Sequence, residues 1–126
     1  MSKRYLKPDT SFIEVGCWKG GATGLVILSN KNKNIDYYAC DTFSGVVNTS
    51  DKDSFFKGKE YDDTNINNIN EIEGIVGEKI QTVQGIFPNS MKEVKLDKPI
   101  SFAHIDVDTY ISAKESLEFI SANTIQ

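Results

Sequence analysis

Two groups of residues in this chain have the types and spacing for chemistry. The first is EVGCWKGG, residues 14–21, in which Glu14 precedes Gly16, Gly20 and Gly21. Glycines where a strand hands over to a helix permit a sharp turn and leave backbone N–H groups bare for a ligand. Asp41 stands 25 positions beyond Gly16, where an acid can accept bonds from both hydroxyls of a ribose. A bound adenosine group accounts for both features together. The plainer alternative is that Gly20 and Gly21 only let helices pack closely.

The second group lies in SFAHIDVDTY, residues 101–110. Side chains alternate along a strand, so His104, Asp106 and Asp108 share one direction while Ala103, Ile105 and Val107 share the other. A parallel strand covered on both faces should be almost wholly apolar, and free carboxylates are expensive to bury. Asp106 and Asp108 are therefore expected to face a cleft. A divalent cation such as Mg²⁺ would suit them there, since hard cations take carboxylate oxygens together with substrate and water. Such a cation lowers the pKa of a bound hydroxyl. Two plainer expectations compete: Asp108 caps the following helix, and His104 is a hydrogen-bonded core histidine.

Which adenosine ligand fits is decided by Trp18. It occupies the position where a dinucleotide-binding GxGxxG turn carries a glycine, and a bulky side chain there leaves little room for a pyrophosphate. S-adenosylmethionine has no phosphates, and Glu14 can supply negative charge near its amino acid end. The rival on the same fold is a nicotinamide-dependent oxidoreductase. DVDT also matches the DxDxT of haloacid-dehalogenase-type phosphatases, but only 17 residues follow Thr109. The DxD of metal-dependent glycosyltransferases leaves EVGCWKGG unexplained.

The elements that must hold these residues follow from the pattern. FIEVG (12–16) reads as a buried strand, 20–30 as a helix with the glycines in its first turn, and IDYYACD (35–41) as a second strand. That is a βαβ unit with a parallel pair. Residues 42–63 have no sustained period and are expected to form a lid or binding loop. A helix capped by Asp63 or Thr64 should run to about Val76, with Ile66, Ile69, Ile72 and either Ile75 or Val76 inward, and should end at Gly77. A third strand is expected at 79–85, a turn with a short helix in IFPNSMKEV, a fourth strand at 99–108, and a helix over Ser112 to Ala122. The sum is an open, doubly wound, mainly parallel α/β sheet of Rossmann-like type. A last helix with no strand after it gives the expectation of a single, partial domain over 1–126.

Bulk properties narrow the function. A chain of 126 residues is one domain's worth and buries roughly two thirds of its unfolded surface. With a net charge of −4 and no basic cluster, nucleic acid and anionic membranes are poor partners. No apolar run approaches the ~20 residues that span a bilayer. No signal peptide follows the first residues, so a cytoplasmic location is expected. Cys17 and Cys40 form no CxxC pair, and a single histidine cannot complete a zinc site with them. Both are expected to be buried thiols.

EVGCWKGG, YYACDTFSG, VQGIFPNS and ISFAHIDVDTYISAKESLEF, in that order, resemble the macrocin O-methyltransferase family of class I S-adenosylmethionine-dependent enzymes. The resemblance covers nearly all of residues 12–120. It implies that Glu14, Gly16, Cys17, Gly20 and Gly21 line the methionine end of the cofactor and that Asp41 binds its ribose. Phe43 and the segment Gly85, Ile86 and Phe87 would lie near the adenine. Asp106 would bind Mg²⁺, and Asp108 would be a metal neighbour or the general base. The acceptor would be a hydroxyl of a sugar or other small natural product. The sequence departs from the family in lacking a further strand with paired acids, and from the related catechol-type enzymes in carrying Thr109 where they have a lysine. A fragment that is inactive alone, pairing with a second copy through an exposed sheet edge, is the non-enzymatic expectation.

Overall fold

The computed structural model describes residues 6–17, 20–31, 33–42, 66–107 and 109–124. The runs rich in β-branched and aromatic residues form four strands: β1 (Ser11–Val15), β2 (Asp36–Asp41), β3 (Ile80–Gln84) and β4 (Ile100–Ile105). They pair in the order β3-β2-β1-β4, every pair parallel. Helix α1 (Gly21–Ser29) joins β1 to β2, α2 (Ile66–Val76) precedes β3, a 3₁₀ turn spans Asn89–Met91, and α3 (Tyr110–Asn123) follows β4. Parallel strands need such crossovers, because a tight turn cannot bring the chain back to the same edge.

Strand alternation divides the core into two layers. Phe12, Tyr37, Ala39 and Ile80 meet Ile27 of α1 and Ile69 and Val76 of α2. On the opposite face Ile13, Tyr38, Val83 and Ile100 meet Phe87, Met91 and Ile120 of α3. Helices on both faces make the sheet doubly wound, as the sequence predicted. Every residue of β1 is buried, which suits the strand with a partner on each side.

One irregularity sets the face of β4. The pairing with β1 runs Ser11 to Ile100 and then Phe12 to Phe102, so Ser101 is the extra residue of a bulge. Its hydroxyl lies 2.6 Å from Thr10 Oγ1 and accepts from the Lys7 N–H at 3.0 Å. Beyond the bulge β4 alternates in step with β1, and His104 is paired with Glu14.

The boundaries correct the sequence reading in three places. β4 ends at Ile105 rather than Asp108, because β1 stops at Val15 and offers no further ladder; the Asp106 N–H makes the last bond, to Val15 O at 2.9 Å. Helix α3 begins at Tyr110, two residues before the expected Ser112. Its N-cap is Thr109 and not Asp108, for Thr109 Oγ1 accepts from the Ser112 N–H at 3.3 Å. In α2 it is Val76, 3% exposed, that closes the inward face, whereas Ile75 is 77% exposed; a 3.6-residue period counted from Ile69 requires this. The expected loop at 42–63 falls, beyond Thr42, outside the described residues.

Ile69 is fully buried where α2 crosses the start of α1. Ile69→Ala should lower unfolding stability by about 2–5 kcal/mol, read from the urea midpoint at unchanged slope.

Candidate functional site

The strand order runs outward from β1 to β2 and β3, then returns to the other side of β1 for β4. A crevice opens at the carboxyl ends of the strands where the order reverses, and ligands of open α/β sheets bind there. The glycine turn after β1 and the acids after β4 both sit at this point.

Two of the three glycines of the turn are accounted for by the protein itself. Gly16 has φ +81°, and a Cβ on it would stand 2.2 Å from the carbonyl oxygen of Asp106. Gly20, the N-cap of α1, has φ +87°, and a Cβ there would meet Ile69 Cδ1 at 2.7 Å. Its N–H closes the turn onto Cys17 O at 2.8 Å. The Asp106 carbonyl therefore explains Gly16, and the left-handed backbone explains Gly20, where only the movable end of Ile69 stands close. Gly21 differs, since a Cβ added to it meets nothing within 4 Å. The N-cap Gly20 has no side chain to cap this helix, and the Thr23 N–H is taken by the Glu14 carboxylate, which leaves the N–H groups of Gly21 and Ala22 for water or an acceptor on a ligand.

Glu14 lies beneath the turn, with its side chain 2% exposed. One carboxylate oxygen accepts from the hydroxyl of Thr23, in the first turn of α1, and the other meets His104 Nδ1 at 2.7 Å. Burial pushes the Glu14 carboxyl above its ordinary value, and the bonds from Thr23 and His104 oppose that only in part. His104 is hydrogen-bonded, as the plainer reading had it, yet its side chain is 46% exposed and is no core residue. Sequence reasoning missed Thr23. Its signal was a small hydroxyl residue two positions after Gly21, on the face of α1 turned toward β1.

The other expected residues are placed as follows. Asp41 ends β2, half-buried, and its main-chain oxygen accepts from the Gly85 N–H at 3.0 Å. The bare start of the Gly85–Ile86 segment thus lies beside Asp41, with Ile86 40% exposed. The Phe87 ring turns the other way, into the core, edge-on to Phe119 at 5.0 Å. Below Gly85 sits Ser90, whose hydroxyl is the one buried side-chain polar atom among the described residues that lacks a partner. Cys17 and Cys40 are buried, neither in a disulfide. Burial first, and then the nearby charges of Asp41 and Glu14, push both thiols up, so they stay protonated. The Asp106 side chain is exposed. Phe43 and Asp108 lie outside the described residues, as does Trp18.

No group of three His, Cys, Asp or Glu side chains among the described residues is gathered to hold a metal ion. A cavity of about 270 Å³, lined by Asn30, Lys33, Asn34, Ile35, Tyr37 and Glu78, lies at the amino ends of the strands, away from the crevice. Burial, with the charge of Glu78, pushes the Tyr37 hydroxyl up to about 12.

A parallel sheet reversing beside a glycine turn, with an acid ending the second strand, is the architecture of class I methyltransferases. The chain belongs to the macrocin-O-methyltransferase (TylF) family, whose model matches residues 8–124. Among solved structures it is similar to CalS11, a calicheamicin methyltransferase, with a TM-score of 0.70 and 17% identity over 92% of this chain and 54% of that one. It is also similar to the O-methyltransferase NovP, with a TM-score of 0.63 and 16% identity over 91% of this chain and 52% of that one. At such identities the likeness is one of fold, and the chain spans about half the length of these structures. No curated protein matches it. No helix among the described residues is long and apolar enough to cross a membrane.

Two outcomes test this geometry. Gly16→Ala should cost well over the roughly 1 kcal/mol of an ordinary Gly→Ala strain, since the Asp106 carbonyl must move, whereas Gly21→Ala should leave stability unchanged or raised; urea unfolding of both variants compares them. The second concerns pH. Because the folded Glu14 carboxyl titrates above its ordinary 4.5, ionising it costs more in the folded than in the unfolded chain. Its contribution is therefore retained below that value and lost as pH rises above it. The stability of the parent relative to Glu14→Gln should fall as pH rises above 4.5, measured by urea midpoints.

Proposed function

We propose that this chain, as a single domain over residues 1–126, is the cofactor-binding part of an S-adenosylmethionine-dependent O-methyltransferase. The observation that carries the reading is the start of α1 at Gly21, which follows an N-cap without a side chain and is open in the direction of its own missing side chain. It lies on the same edge of the sheet as Asp41. The unpartnered hydroxyl of Ser90 beneath Gly85 adds a polar atom along that rim, where the family resemblance puts the adenine. The residues present thus suit an adenosine bearing an amino acid. The cofactor supplies an electrophilic methyl group, and the acceptor is a hydroxyl of a sugar or other small natural product.

The chain's own residues would divide the work. The N–H groups of Gly21 and Ala22 in the first turn of α1 hold the carboxylate of the amino acid end. The Asp41 carboxylate accepts from the ribose hydroxyls, and the backbone at Gly85 and Ile86 borders the base. Asp106 would supply a carboxylate to Mg²⁺, which commonly takes one or two from a protein, and Mg²⁺ there would lower the pKa of a bound hydroxyl. Asp108 or solvent is the proton acceptor in this reading. Fixing the two reactants in line is worth about 7–11 kcal/mol in favourable cases, so orientation is the larger part of what the fold would contribute. Reduced thiols at Cys17 and Cys40 suit a cytoplasmic location.

Titration of the chain with S-adenosylhomocysteine, with NAD as control, tests the proposal. Binding of the first and not the second is expected. Asp41→Ala should weaken it by about 10-fold or more, Gly21→Ala should also weaken it by filling the open space, and Asp106→Ala should leave it unchanged. Preference for NAD would overturn the reading.

A further inference from the structure

Glu14 was expected to lend its charge to the ligand, yet only 2% of its side chain is exposed and both oxygens are engaged from opposite sides. On one side is Thr23, fully buried, two residues into α1. On the other is His104, the residue paired with Glu14 across the β1–β4 ladder. The start of α1 is weak by itself: it reads Gly-Ala-Thr-Gly and its N-cap Gly20 has no side chain, so the bond from the Thr23 N–H to Glu14 comes from outside the helix. A carboxylate held by two donors from two different elements is a strong local constraint.

We infer that Glu14 is a positioning residue: through Thr23 and His104 it ties the first turn of α1 and the end of β4 to β1, and so sets where the bare N–H groups near Gly21 stand relative to Asp106. The relevance to the ligand rests on the function proposed above; the tie itself does not. Two features make it separable from general packing. His104 is 46% exposed, so cutting the tie there opens no cavity. The Gly24 N–H, bonded to Gly20 O at 3.0 Å, reports directly on the turn.

The test compares His104→Ala with His104→Asn, whose amide can donate from nearly the position of Nδ1. Amide exchange is followed by NMR in the unliganded chain, and S-adenosylhomocysteine affinity by calorimetry. In His104→Ala the amides of Gly24 and Leu25 should exchange about tenfold faster, with those of Tyr38 and Val83 unchanged, and His104→Asn should restore them. Affinity should fall and recover in parallel. Should His104→Ala fail to fold, Thr23→Val against Thr23→Ser makes the same comparison. Unchanged exchange at Gly24, or equal acceleration everywhere, overturns the tie. So does loss of affinity in Glu14→Gln with exchange at Gly24 unmoved, the mark of direct ligand contact. If the parent chain takes up no S-adenosylhomocysteine, the proposed function fails, while the exchange data still decide the tie.

Discussion

The close passage of Gly16 under the carbonyl of Asp106 is the constraint on which the rest of the molecule depends. There β1 and β4 come to their ends side by side, with main chain against main chain where any side chain would collide. The Asp106 N–H still bonds Val15 O, and the Gly16 N–H bonds Cys40 O on the other flank. Three strand ends are thereby fixed in one row. Only above that row can the chain diverge, toward α1 on one side and α3 on the other. The crevice is the gap this divergence leaves.

Energetically the site rests on a buried acid. Removing a carboxylate from water costs several kcal/mol, and hydrogen bonds to a charged group return about 1.5–3 kcal/mol each. For Glu14 burial outweighs the bonds, because its carboxyl titrates above the ordinary range despite its donors. Such a group contributes little net stability. What it contributes is specificity of arrangement, since a carboxylate with both oxygens taken tolerates few alternative positions of α1 or β4.

The sequence made the architecture legible to within a few residues, because period-2 apolar runs, a glycine turn and a 3.6-residue stripe are local signals. It was less informative wherever a boundary depended on a distant neighbour. β4 stops at Ile105 because β1 stops at Val15, which nothing in ISFAHIDVD can announce. The site was legible as a set of residues but not as a set of reasons. Gly16 and Gly20 read as ligand glycines, with helix packing the alternative for Gly20, yet Gly16 is already required by the Asp106 carbonyl 90 positions away and Gly20 by its own left-handed backbone. Gly21, with open space beside it, is the glycine that packing leaves unexplained. Glu14 and His104 were both marked, but their pairing could only come from the register that the bulge at Ser101 creates.

The buried thiol of Cys17 gains a meaning from its place in that turn. On the proposed reading it lies next to a sulfonium, a potent alkylating agent, and a thiolate would be the strongest nucleophile within reach. Burial and two neighbouring negative charges keep the sulfur protonated and inert. The same desolvation that makes the turn a rigid floor would thus protect the protein from methylating itself.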